Sequence, residues 1–199
     1  MSEILVLYYS RYGATESLAR EICQGVDSVD GMAARLRTVP AISAVTEATD
    51  DPVPDAGPPY ATANDLIECA GLVMGSPTRF GNMAAALKHF LDGTGSEWLA
   101  GAAAGKPAGL FTSTSSLHGG QESTLLTMAV PLLHHGMLLV GLPYTEAAIS
   151  TTTTGGSPYG ATHVSWNRKV DKLSSDEKQL ARALGRRIAD VARRLAETG

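Results

Sequence analysis

Cysteine is scarce in this sequence, and its placement excludes several classes of protein. The only two cysteines among the 199 residues are Cys23 and Cys69. They form neither a CxxC pair nor a metal-ligand spacing, and both stand in segments of apolar periodicity, which predicts buried free thiols. This pattern argues against a disulfide framework, and we expect a protein of the reducing cytoplasm.

Positive charge is also limited, and long apolar runs are missing. The net charge is −4, and the longest basic cluster, Arg186-Arg187 with Arg193-Arg194 one heptad later, is typical of a solvated helix face. A nucleic-acid partner or an anionic membrane surface would require a basic patch, so we expect neither. No apolar run is long enough to span a bilayer, and the first residues lack the basic region of a signal peptide.

Several catalytic signatures are absent as well. The sequence contains no GxxxxGK[ST], which argues against a P-loop nucleotidase, and no GxGxxG, which argues against a Rossmann dinucleotide site. It contains no HExxH motif, no paired carboxylates and no nucleophile elbow. Hydrolase and metalloenzyme functions are therefore disfavoured.

The sequence does contain a regular alternation of strand and helix patterns. A hydrophobic fraction of 44% is enough for a substantial core, and the length predicts a single domain over residues 1–199. Strand-like apolar runs occur at 4–9, 33–39, 72–74, 110–111 and 137–140, with helical patterns between them and a fifth helix after 174. Ser174 and Glu177 form a capping box at the start of that last helix. Such alternation predicts a doubly wound parallel sheet.

A polar loop follows the first predicted strand and has the composition of a phosphate site. It runs from Ser10 to Thr15, directly before a helix whose first amides lack internal partners. The two hydroxyls, with Gly13 allowing a close turn and no lysine or metal-holding acid nearby, suit a terminal phosphate that is held and not cleaved. An ordinary helix N-cap is the alternative.

Two more polar loops follow the third and fourth predicted strands. In the loop 76–82, Thr78 can contact the polar edge of a bound ring system and Phe80 can lie beside its flat face. The alternative is that Phe80 is a core residue and Arg79 a surface charge. The small residues of loop 112–120 can wrap the uracil-like edge of a flavin, or they form a flexible polar loop. Because ligands bind beyond the carboxyl ends of parallel strands, the three loops predict one shared site.

The motifs in and around these loops resemble those of the WrbA-type NAD(P)H:quinone oxidoreductases. The matching stretches are ValLeuTyrTyrSer…TyrGly at 6–13, ProThrArgPheGlyAsn at 77–82, GlyGlyGlnGlu at 119–122, HisHisGlyMet at 134–137 and ProTyrGlyAla at 158–161, with Leu87 to Asp92 followed by Trp98. The resemblance implies a flavodoxin-like five-stranded sheet of order 2-1-3-4-5, the cofactor FMN, and NADH or NADPH as co-substrate. It also implies a homotetramer that reduces quinones in two-electron steps by a ping-pong mechanism.

The resemblance further assigns roles to single residues. It implies FMN contacts at Ser10, Arg11, Tyr12, Gly13, Ala14, Thr15, Pro77, Thr78, Arg79, Phe80, Gly81, Ser113, Thr114, Ser115, Ser116, Leu117, His118 and Gly119. His134 is implied as an FMN contact or catalytic group, although a histidine at a helix end can simply meet free carbonyls. Tyr12 is implied near the nicotinamide and Trp98 near the quinone.

Two features depart from the family pattern, and two other functions stay open. Residues 162–169 replace a glycine-rich stretch, so the shape of this loop and the role of His163 are open, and Leu117-His118 replace small residues. The segments 40–59 and 93–105 are candidate interface elements; Trp98, expected in a loop, suits either an interface or a substrate lid. The alternatives are a flavodoxin-like electron carrier, for which a charge of −4 is small, and a regulatory FMN-binding protein.

Overall fold

In the computed structural model, residues 1–43, 54, 56–166 and 172–197 are described. Six strands alternate with seven helices along these residues. The strands are β1 Ser2–Tyr8, β2 Met32–Thr38, β3 Gly71–Pro77, β4 Pro107–Thr114, β5 Leu138–Leu139 and β6 Ala161–Val164. The helices are α1 Ala14–Asp27, α2 Ala63–Glu68, α3 Ala85–Asp92, α4 Gly95–Leu99, α5 Gln121–His134, α6 Ala148–Thr151 and α7 Ser175–Glu197.

The strands form one parallel sheet in the order β2-β1-β3-β4-β5, which confirms the predicted order. β1, β3 and β4 are buried on both faces because their sequences are nearly continuous apolar runs. One core cluster packs α1 and α7 against one face, and a second packs α3 and α5 against the other. The carboxyl ends of all strands therefore lie at one edge of the sheet.

The edge of β4 that does not pair with β3 is hydrogen-bonded to two separate strands. β5 pairs with Pro107 and Ala108 at the start of β4, and β6 pairs with 111–114 at its end. The chain between β5 and β6 leaves the sheet and returns, so together they occupy the position of one interrupted strand. The sequence predicted only the first part, as a strand over 137–140, and predicted a loop over 162–169. The structure corrects this: 161–164 are a buried strand, and 167–169 lie outside the described residues.

The helices α1 and α7 pack side by side on one face of the sheet. Two glycines allow their close approach, because a Cβ at Gly25 would lie 2.0 Å from the carbonyl oxygen of Arg182, and one at Gly185 would lie 2.1 Å from that of Ile22. Both helices begin after the carboxyl end of a strand, so their first turns lie at the carboxyl edge of the sheet. The capping box at the start of α7 is confirmed.

Two further predictions concern the cysteines and the segment 40–59. Both thiols are free, as predicted; Cys69 is buried and Cys23 is half-buried. Burial raises the pKa of the Cys23 thiol to about 12, so it stays protonated at neutral pH. Most of the segment 40–59 lies outside the described residues.

Candidate functional site

A cleft of about 480 Å³ opens at the carboxyl ends of β1, β3 and β4, where the three polar loops meet. This volume lies within the range of about 300–1,000 Å³ that small-molecule sites occupy. It is lined by Ser10, Arg11, Tyr12, Ala14, Thr15, Pro77, Thr78, Arg79, Ser113, Thr114, Ser115 and Ser165. All of these except Ser165 belong to the set predicted from the sequence.

The first loop ends at the N-terminus of α1 in a form suited to an anion. Gly13, the residue before the helix, has a φ of 89°, a conformation that favours glycine. The Ser10 hydroxyl accepts a hydrogen bond from the Gly13 amide (3.1 Å) and does not reach into the helix, which has no side-chain cap. The first-turn amides of α1 therefore point at the cleft without side-chain partners, contrary to the ordinary N-cap alternative.

A buried pair of hydroxyls lies beside this helix start. The Oγ1 of Thr15, in the first turn of α1, is 2.9 Å from the Oγ of Ser113, near the end of β4. Both side chains line the cleft although they are almost fully buried. The pair joins the start of α1 to the end of β4, and its hydroxyl protons can be redirected to a ligand oxygen.

The second loop contains a tight turn that projects Phe80 into solvent. The backbones of Arg79 and Asn82 exchange two hydrogen bonds of 2.7 and 3.0 Å, and the residues between them, Phe80 and Gly81, have φ angles of 54° and 78°. Positive φ at both central positions defines a type I′ turn. Phe80 is fully exposed, so the alternative of a core residue is wrong. Neither Phe80 nor Gly81 lines the cleft within one chain.

The third loop begins later than predicted and is held by a buried polar network. Residues 112–114 belong to β4, and the loop starts at Ser115. The Gln121 amide donates to the carbonyl of Leu117 (2.9 Å), while its oxygen accepts from the Thr162 hydroxyl of β6. These bonds argue against a freely flexible loop. Four predicted contacts at its distal end do not line the cleft: Ser116, Leu117, His118 and Gly119.

His134 and Trp98 lie in a different place from the other predicted site residues. Both line a second cavity of about 510 Å³, together with Lys88, Asp92 and His135. Trp98 is on the short helix α4 and not in a loop, and its indole nitrogen donates to the carbonyl of His134 (2.7 Å). Within one chain, the residues for which the resemblance implies cofactor or substrate contacts are therefore divided between two cavities.

A buried histidine–carboxylate pair near the cleft escaped the sequence analysis. Nδ1 of His163 lies 2.9 Å from Oε2 of Glu177, and each residue is only 1% exposed. Burial opposes ionisation of Glu177, but hydrogen bonds from His163, Ser174 and Gly155 outweigh it and lower its pKa to about 2. Only two of the four residues of β6 are β-branched, too few for the sequence to mark this segment as a strand.

Two kinds of feature are absent from the described residues. Among them, no cluster of three or more histidine, cysteine, aspartate or glutamate side chains could hold a metal ion. In the same part of the chain, no helix is both long and apolar enough to cross a membrane.

The sequence is similar to known proteins of one family. Residues 3–151 match the family model described as NADPH-dependent FMN reductase. A protein of Solidesulfovibrio magneticus named NAD(P)H dehydrogenase (quinone) is 43% identical over 199 residues, covering 96% of this chain and 98% of the relative. One of the same name from Syntrophobacter fumaroxidans is 42% identical over 200 residues, covering 97% and 98%.

Solved structures share the fold at lower sequence identity. A WrbA-like flavodoxin protein from Agrobacterium tumefaciens superposes with a TM-score of 0.69 at 23% identity, covering 98% of this chain and 99% of its own. A flavodoxin from the domain Archaea has a TM-score of 0.62 at 17% identity, covering 96% and 99%. These similarities confirm the flavodoxin-like fold.

Proposed function

Because the chain belongs to the NADPH-dependent FMN reductase family, we propose that it is an FMN-dependent NAD(P)H:quinone oxidoreductase. Relatives with the name NAD(P)H dehydrogenase (quinone) match it along nearly their whole length, which supports this activity. The observation that carries the proposal is the cleft at the ends of β1, β3 and β4, with uncapped helix amides at one side. In this proposal residues 1–199 form one FMN-binding domain.

The residues of the cleft fit FMN chemically. A phosphate monoester needs many donors, and the first turn of α1 offers free amides beside the hydroxyls of Ser10 and Thr15. The ring edge needs a mixture of donors and acceptors, which Thr78, Thr114 and Ser115 supply from the other two loops. FMN, when bound, supplies the redox chemistry by taking hydride from NAD(P)H and returning two electrons to a quinone.

The donor and the acceptor are proposed to use the same exposed side of the cofactor in turn. Tyr12 is half exposed at the rim of the cleft, where it would meet the nicotinamide. Binding in turn at one place requires that NAD(P)⁺ leave before the quinone enters. Initial rates at several fixed quinone concentrations should then give parallel double-reciprocal lines. Intersecting lines would mean that both substrates bind together and would exclude this order.

Assembly into a tetramer would bring the two cavities together. Apolar side chains are exposed over neighbouring parts of α4, α5 and β5: Trp98, Leu99, Leu126, Val130, Leu133, Leu138 and Leu139. Exposed apolar side chains in such number are typical of a contact between chains. We propose that Trp98 and His134 of one subunit complete the cleft of another. Light scattering should give about four times the 20.7 kDa chain mass.

The direct test is FMN binding followed by turnover. The flavin extracted from purified protein should be FMN by chromatography, and NADH should reduce benzoquinone in its presence. Replacing Ser10 and Thr15 together by alanine should weaken FMN binding more than about tenfold, because two hydrogen bonds to a charged phosphate are lost. Ser28→Ala, at the other end of α1, is the matched control.

Each result of this test separates the proposal from its alternatives. FMN binding without NADH-dependent quinone turnover would indicate an electron carrier or a regulatory FMN-binding protein. Protein that binds no FMN would refute the proposal. An unchanged dissociation constant in the double variant would refute the assignment of the phosphate to the first loop.

A further inference from the structure

His163 has one ring nitrogen that the fold leaves without a partner. Its Nδ1 is bound to Glu177, but its Nε2 is buried and makes no hydrogen bond within the described part of the chain. A buried polar atom without a partner costs about 1–3 kcal/mol. Buried polar atoms without a hydrogen-bond partner are rare in native proteins, so the unpaired Nε2 of His163 requires an explanation.

The sheet register places His163 next to the hydroxyl pair of the cleft. His163 on β6 is the direct neighbour of Ser113 on β4, and paired residues of parallel strands project to the same face of the sheet. On that face Ser113 bonds to Thr15, and both line the cleft. The side of the ring that carries Nδ1 faces Glu177 on α7. Nε2, on the opposite side of the ring, is directed away from Glu177.

Glu177 also fixes which nitrogen carries the proton of the neutral ring. The ionised carboxylate can only accept, so Nδ1 must donate to it and Nε2 is left with a lone pair. This lone pair can accept a hydrogen bond from a hydroxyl. In the neutral ring Nε2 is thus an acceptor, and its residue is the neighbour of Ser113 on the adjacent strand.

We propose, building on the function proposed above, that His163 is a positioning residue for the FMN phosphate. A phosphate oxygen accepts from the Thr15 hydroxyl, which opens the bond between Thr15 and Ser113. The Ser113 hydroxyl then turns and donates to Nε2 of His163. Hydrogen bonds are exchanged and no proton leaves its heavy atom. His163 thereby strengthens the binding of flavins that carry a phosphate relative to those that do not.

Two variants separate the two nitrogens of His163. Asparagine places an amide close to the Nδ1 position and so keeps a donor for Glu177, but it has nothing at Nε2. Glutamine reaches the Nε2 position but loses the bond to Glu177. His163→Asn should weaken FMN binding about five- to tenfold, the effect of one neutral hydrogen bond, and leave riboflavin binding within about twofold. His163→Gln should be less stable yet retain the preference for FMN. His89→Asn, on the exposed side of α3, is the matched control.

A spectroscopic measurement follows the nitrogen itself. In protein labelled with ¹⁵N-histidine, the Nε2 resonance of His163, assigned by its loss in His163→Asn, should shift on adding FMN or inorganic phosphate but not riboflavin. Equal losses of FMN and riboflavin affinity in His163→Asn, or no shift of Nε2 with FMN, would overturn the proposal while FMN binding by the wild type stands. If the wild-type protein bound no FMN, the function proposed above would be refuted as well.

Discussion

Glu177 accepts hydrogen bonds from four donors on three separate segments, so its replacement should be costly. Its Oε2 accepts from the Ser174 amide (2.8 Å) and from Nδ1 of His163 (2.9 Å), and its Oε1 accepts from the amides of Gly155 (2.9 Å) and Val164 (3.2 Å). One carboxylate therefore joins the start of α7 to β6 and to the chain that precedes β6.

The magnitude follows from the number of donors that lose their acceptor. Glu177→Ala leaves all four donors without an acceptor. At about 1 kcal/mol for each lost hydrogen bond, the free energy of unfolding should fall by about 4 kcal/mol. Glu177→Gln keeps the oxygen that faces Gly155 and Val164, but its amide group meets two other donors. We expect a loss of about 2 kcal/mol for this variant, or about 6 °C in Tm for a chain of this length.

The same carboxylate predicts a dependence of stability on pH. Hydrogen bonds outweigh burial and lower the pKa of folded Glu177 to about 2, below its value of about 4.5 in the unfolded chain. The stabilisation is therefore present above the unfolded pKa and is lost as pH falls from about 5 towards 2. It amounts to about 3 kcal/mol, since one pKa unit corresponds to about 1.4 kcal/mol. Glu177→Gln cannot titrate and should lack this loss.

Urea unfolding followed by circular dichroism at pH 7, 5 and 3.5 measures both effects. The gap in unfolding free energy between wild type and Glu177→Gln should narrow as pH falls. Glu16→Gln, which removes an exposed ion pair with Arg20 in α1, should change stability by less than about 0.5 kcal/mol and serves as control. Equal stability of Glu177→Gln and wild type at pH 7, or a gap independent of pH, would refute this account.

Three further variants test single features of the structure. Phe80→Gly should raise the free energy of unfolding by about 1 kcal/mol, because it relieves a positive φ and removes no buried contact. A lower stability of this variant in urea unfolding would refute the strain that we assign to Phe80 in the turn. Gly25→Ala should lower it by more than about 2 kcal/mol by separating α1 from α7, whereas Gly95→Ala, with open space around it, should be nearly neutral. Trp98→Ala should lower quinone turnover more than FMN affinity, and a fully active monomer in light scattering would rule out a shared site.

Local patterns in the sequence were sufficient for most of the fold. Strands and helices bury one face or two, so their periodicity records burial without knowledge of their partners. The capping box of Ser174 and Glu177 spans three residues, and the structure confirms it. The three loops could be predicted to share one edge because parallel strands bring their carboxyl ends together. Eleven of the twelve residues that line the cleft are among those for which the family resemblance implies cofactor contacts.

Other features depend on pairs of residues far apart in the chain, and only the tertiary structure decided them. β6 is four residues long, and its pairing with β4 joins segments about fifty residues apart, so no local pattern marks it as a strand. The four donors to Glu177 and the orphan nitrogen of His163 follow from that pairing. Trp98 and His134 lie apart from the cleft because packing between α4 and α5 places them there. Spacing along a chain cannot encode such distances, since they are set by how complete elements pack.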